Sequence, residues 1–132
     1  MHKLDKILYT AHATATGGRE GSARSESPAL QLKLSTPKEL GGNGGDGTNP
    51  EQLFAITYAS CFEGACAFVY KRDSFTFKPK AVSAEVPLLK REGGFSISVN
   101  ITAHYDNSVN HDQAIDLTNR AHIVCPYSYA TM

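Results

Sequence analysis

A chain of 132 residues with 41% hydrophobic side chains can build one core and fits one domain spanning 1–132. Lys plus Arg and Asp plus Glu stand at 13 each, with no long block of like charge, which argues against a nucleic-acid binder acting by bulk electrostatics. An odd number of cysteines (three), no secretory h-region in MHKLDKILYT and no apolar run near ~20 residues together lead to the expectation of a soluble, cytoplasmic chain with no membrane span.

In chain order, Lys6 to Thr16 is rich in β-branched and aromatic residues and predicts a strand. GGREG (Gly17 to Gly21) is a turn cluster with Arg19 inside it. Ala29 to Leu34 alternates, with Leu30, Leu32 and Leu34 on one face, and predicts a second strand paired with the first as a hairpin. Thr36 to Asn49 is a long glycine-rich loop. Thr48 or Asn49 then suits a helix cap, Pro50 the first helical position and Glu51 the positive helix end. The helix continues to about Arg72 and is apolar on nearly all sides, which predicts a buried central helix. Lys80 to Lys90 and Phe95 to Tyr105 alternate and are joined at Gly93-Gly94 as a hairpin. Ala114, Leu117, Ala121 and Val124 recur at helical spacing behind Asn110, a suitable cap, and Pro126 ends that helix. The order is β-β-α-β-β-α, an α+β fold.

Cys61 lies in the middle of the apolar helix, where a thiol is either a small core residue or a reactive group in a built pocket. Cys125 closes the second helix, an end whose partial negative charge raises a thiol pKa; it suits a second thiol better than a primary nucleophile. Arg19 in its glycine turn and Glu51 at its helix start are either a solvated turn residue and an ordinary first-turn carboxylate, or a cation held by its partner and able to stabilise a thiolate. Glu51 and Cys61 stand about 15 Å apart on one straight helix, so sharing a site requires a bend, a bridging Arg19 or a second chain. Cys66 is off the Cys61 face and reads as packing. The five histidines form no HxxxH pattern, so no metal site is expected, and there is no phosphate-binding glycine motif.

Three stretches, TAHATATGGREG (Thr10 to Gly21), LSTPKELGGNGGDGTNPEQLFAITYASCFEGA (Leu34 to Ala65) and VCPYSYAT (Val124 to Thr131), together resemble the OsmC/Ohr family of thiol peroxidases in its organic hydroperoxide resistance branch. The resemblance implies antiparallel sheets wrapped around a buried central helix, in an intertwined homodimer whose sites draw on both subunits. It implies Cys61 as the peroxidatic cysteine, Cys125 as the resolving one, and Arg19 with Glu51 as the pair that polarises the thiolate. It also implies alkyl or fatty-acyl hydroperoxides as substrates and, with no bound cofactor, a dihydrolipoyl group on a lipoylated protein or another dithiol as reductant. Phe54, Tyr127 and Leu40 are candidates for apolar pocket walls. The resemblance implies a final strand past the CPYS motif; with the sequence stopping at Met132, the expectation is either a fragment or a lost tail. A hydroperoxide sensor or binding module of the same fold, oxidised without turnover, is the competing reading.

Overall fold

The computed structural model describes residues 5–26 and 28–131, in two compact units, Met1–Pro50 and Glu51–Met132. The first unit is an antiparallel three-stranded meander of β1 (Ala13–Thr16), β2 (Ser22–Ser25) and β3 (Leu30–Lys33). Its registers run Thr16 opposite Ser22 and Ser22 opposite Lys33. The sequence reading has one hairpin here; the structure adds β2 between its arms. SARS carries no apolar alternation to betray a strand, and is held instead by neighbours on both sides. Of the expected first strand, Ala13 to Thr16 forms the regular ladder, and the His12 carbonyl beside it accepts the Glu26 N–H at 3.2 Å.

The turn between β1 and β2 is a 3-10 turn at Gly18–Glu20. Gly21 closes it, at a position where a Cβ would sit 1.8 Å from the Thr16 carbonyl oxygen. Only glycine permits so close a backbone approach. The glycine-rich segment after β3 is pinned rather than loose. Ser35 N–H donates to the Thr48 carbonyl (2.9 Å), Thr48 N–H to that of Lys33 (2.9 Å), and Gly47 N–H to the buried Ser35 Oγ (3.0 Å).

The second unit is built on α1 (Pro50–Arg72), which runs unbroken for 23 residues. Tyr58, Phe62, Ala65, Cys66 and Val69 are buried, one stripe at helical spacing. The sequence reading has this helix buried on nearly all sides; Ile56 and Phe68, on its other faces, are 57% and 54% exposed. By length and composition alone, with a mean hydropathy of 1.4 over its best window, α1 reaches the range of a membrane span. The core of a soluble unit passes the same test, and its buried stripe has protein partners.

Strands β4 (Ala81–Glu85), β5 (Leu88–Arg91), β6 (Gly94–Ile97) and β7 (Asn100–His104) form a nested hairpin. β4 pairs antiparallel with β7 and β5 with β6, in the registers Val82 opposite Ala103 and Leu88 opposite Ile97. Each of the two expected strands is thus split, one at Val86-Pro87 and the other at Ser98-Val99, because a proline cannot donate to the ladder. α2 (His111–Val124) starts where its sequence predicts: Asn110 Oδ1 accepts the Gln113 N–H at 3.0 Å. Its Leu117 and Ala121 are fully buried against the α1 stripe, with Val82, Val99 and Ile101 of the strands packed on the same cluster. Pro126 does not only end α2; it opens a short α3 (Pro126–Thr131), as a proline can at a first helical position.

The turn after α1 is tied to α2 by charge. Asp73 accepts from Arg72 Nε (2.8 Å) and from Arg120 Nη1 (3.1 Å), which holds its carboxyl at about 2. A carboxyl depressed in the folded state stabilises the fold above its unfolded value of 3.8, and that contribution is lost as pH falls towards about 2. Asp73→Asn is therefore expected to melt below the parent at neutral pH, with the gap closing across this acid window. A gap independent of pH in thermal melts would remove the ion pairs as its cause.

Candidate functional site

Two thiols meet where α1 passes the junction of α2 and α3. Cys125 Sγ donates to Cys61 Sγ across 3.6 Å, both cysteines being reduced. A disulfide needs about 2.05 Å between sulfurs, so the pair is in contact but unbonded. Cys61 lies at the edge of the buried α1 stripe, three residues from Tyr58 and one from Phe62, and is partly exposed; Cys125 is fully buried behind it.

Cys125 is the joint of a helix elbow. It caps α2 in an extended conformation (φ −65°, ψ 120°). Its N–H donates to the Ala121 carbonyl at 2.8 Å, and its own carbonyl accepts the Tyr129 N–H at 3.0 Å. Both backbone groups of the residue are thereby committed, one to each helix. Three residues on, the buried Ser128 Oγ and Tyr58 hydroxyl share a hydrogen bond of 2.8 Å.

Three aromatic rings line this stretch. Phe54, Tyr58 and Tyr127 form a triangle with centroids 5.6–5.9 Å apart. Edge-on and tilted packing of this kind makes a rigid apolar wall. Burial pushes the Cys61 thiol up; the backbone amide of Tyr127 works against this, and the Cys125 thiol adds to it. A thiol in this setting therefore needs a further positive group to be a thiolate at neutral pH. Cys66, deep in the core, is pushed up to about 11 by burial, as suits the packing residue the sequence suggests.

Of the four residues singled out in the sequence, the structure brings Cys61 and Cys125 together. Glu51 stands in the first turn of the unbroken α1, about 15 Å of helix from Cys61. Arg19 belongs to the first unit, half-buried in the 3-10 turn. That turn is tied down by the Glu20 carboxylate, which accepts the Thr36 N–H. Of the suggested wall residues, Phe54 and Tyr127 lie in the aromatic triangle, and Leu40 sits in the first unit's second 3-10 turn (Lys38–Leu40), 43% exposed. Sequence reasoning missed Tyr58 and Ser128. Their one available signal is position, each a helical turn from one of the two cysteines. An alkylating reagent added to the reduced native protein is expected to label Cys61 first and to reach Cys66 only on unfolding, read by peptide mass spectrometry. Equal labelling of Cys66 would contradict its burial.

Comparison with known proteins fits this architecture. Residues 42–132 match the family model of OsmC-like proteins. An organic hydroperoxide resistance protein of Xanthomonas axonopodis pv. citri is 50% identical over 132 residues, covering 99% of this chain and 92% of its own. The crystal structure of an organic hydroperoxide resistance protein from Legionella pneumophila superposes with a TM-score of 0.87 at 44% identity, covering 95% of this chain and 90% of that one. That of the organic hydroperoxide resistance protein OhrB of Bacillus subtilis does so at 0.81 and 39%, covering 95% and 92%. A match at this identity over nearly the whole chain, with antiparallel sheets and a central helix in the fold, means that the chain belongs to the OsmC/Ohr family.

Proposed function

We propose that this protein protects against organic hydroperoxides as a cysteine-based, thiol-dependent peroxidase. The observation that carries the reading is the pair of reduced thiols 3.6 Å apart, one reachable from outside and one buried behind it, beside an aromatic wall. The names of its relatives, organic hydroperoxide resistance proteins, support the substrate class.

In this reading the Cys61 thiolate attacks the distal oxygen of ROOH. An S–O bond forms, the O–O bond breaks, and the leaving alkoxide takes a proton to become ROH. Cys61 is left as a sulfenic acid. The Cys125 sulfur then attacks Cys61: an S–S bond forms, the S–O bond breaks and water departs. A dithiol, in this reading a dihydrolipoyl group on a lipoylated protein, exchanges with the disulfide and restores both thiols. Phe54 and Tyr127 supply apolar surface that favours alkyl and fatty-acyl groups over hydrogen peroxide.

Arg19 and Glu51 have their own place in it. Burial disfavours the Cys61 thiolate, so a fixed guanidinium is the group this site needs, and Glu51 is assigned to hold it. We assign the working state to a cytoplasmic homodimer. The exposed apolar faces of α1, with Ile56 and Phe68, are surface for a second copy to cover.

Cys61→Ser is expected to lower consumption of an organic hydroperoxide, with a lipoyl donor, by roughly three orders of magnitude or more, as removal of a nucleophile does. Retained turnover in that variant would end the reading. Cys125→Ser should reduce one equivalent of peroxide and then stall or over-oxidise; full steady-state activity would cost Cys125 its role. Arg19→Met is expected to raise the Cys61 thiol further, seen as a shift to higher pH in the rate of Cys61 alkylation. An unmoved profile would separate Arg19 from the thiolate.

A further inference from the structure

The Tyr58–Ser128 hydrogen bond sits in a telling place. Beside the packing of Phe54 and Tyr58 on Tyr127, α1 meets the elbow and α3 at two polar contacts: Cys61 faces Cys125, and Tyr58 faces Ser128. Tyr58 precedes Cys61 by three residues and Ser128 follows Cys125 by three, so the two segments run antiparallel. The hydroxyl pair then lies about 4.5 Å along the helix from the sulfur pair. Both hydroxyls are buried, and each takes the other as its partner. Two polar groups hidden from water are expensive to misalign, so the contact is stiff.

The elbow explains what that stiffness controls. Cys125 is fixed on the α2 side by its N–H bond to Ala121. On the α3 side its carbonyl is bonded to the Tyr129 N–H, so a displaced α3, only six residues long, pulls on the residue that carries the sulfur. Ser128 ties that helix to α1 in its middle. To close a disulfide the sulfurs must approach by about 1.5 Å from their 3.6 Å contact. A swing of α3 away from α1 would open that gap.

We infer that Tyr58 and Ser128 are positioning residues for disulfide closure: their hydrogen bond holds the α2–α3 elbow so that Cys125 stays within reach of an oxidised Cys61. The inference rests on the peroxidatic and resolving roles proposed above. Two reactions then compete for the Cys61 sulfenic acid. Attack by Cys125 gives the disulfide and water. Attack on a second ROOH gives the sulfinic acid and ROH. The brace acts on the first reaction alone, because the second does not use Cys125.

The test uses the reduced full chain and tert-butyl hydroperoxide, with quenched samples read by mass spectrometry for sulfenic acid, disulfide and sulfinic acid. Tyr58→Phe and Ser128→Ala each remove one hydroxyl. The double variant removes both and leaves no unsatisfied buried group, so it folds even where a single variant is strained. In the double variant the rate of disulfide closure is expected to fall about tenfold, the factor set by the usual worth of one hydrogen bond. In Ser128→Ala, which lies outside the aromatic wall, the first oxidation should stay within about twofold of the parent, since a positioning role leaves the attacking thiol untouched. Sulfinic acid should then accumulate at peroxide levels where the parent gives disulfide. A merely structural role would lower the melting temperature without shifting this partition. Closure at the parent rate in the double variant overturns the inference while leaving the proposed function standing. A parent protein that forms no Cys61–Cys125 disulfide overturns both.

Discussion

The helical repeat of α1 is the constraint on which the rest of the site depends. Burying Tyr58, Phe62, Ala65, Cys66 and Val69 on one stripe fixes the rotation of the helix about its axis. That rotation puts Cys61 at the margin of the stripe, neither sealed in the core nor fully in water. A residue at such a margin can meet a buried neighbour on one side and a small molecule on the other. Leu117 and Ala121 of α2 pack on the same stripe, and through them the elbow at Cys125 is delivered to the sulfur.

Much of this was legible in the residues. Asn110, with Ala114, Leu117 and Ala121 behind it, announced α2 because a cap and a repeating apolar spacing are local signals. Cys66 could be set aside by its angle on the helix, and it is buried in the core. Cys61 and Cys125 stood out by their places in their helices, though only the resemblance to a known family paired them. Other features were out of reach. A helix apolar all round cannot say which side its own chain covers, so Ile56 and Phe68 looked as buried as Phe62. β2 has no pattern of its own, and its strand character comes from β1 and β3. Tyr58 and Ser128 are ordinary residues until the fold brings them to 2.8 Å.

The electrostatics of the pair follow from its burial. Packing the Cys61 thiol against the buried core cluster gives apolar surroundings and makes its charged form harder to reach. The surroundings that welcome an alkyl chain therefore oppose the thiolate. Any chemistry by the anion must set a fixed positive group against that cost, and the Tyr127 amide is only a partial answer.

The committed backbone of Cys125 sets a clock. With its N–H bonded into α2 and its carbonyl into α3, the residue has no peptide freedom to spend. While the Tyr58–Ser128 bond holds α3 against α1, its sulfur travels by turning about the Cα–Cβ bond, between the staggered wells open to any cysteine. In exposed side chains such turns take picoseconds to nanoseconds; for the fully buried Cys125 they wait on its neighbours. Shuttling between thiol and bonded sulfur at this joint is thus a rotamer event inside a still frame, paced by how readily the surrounding rings give way.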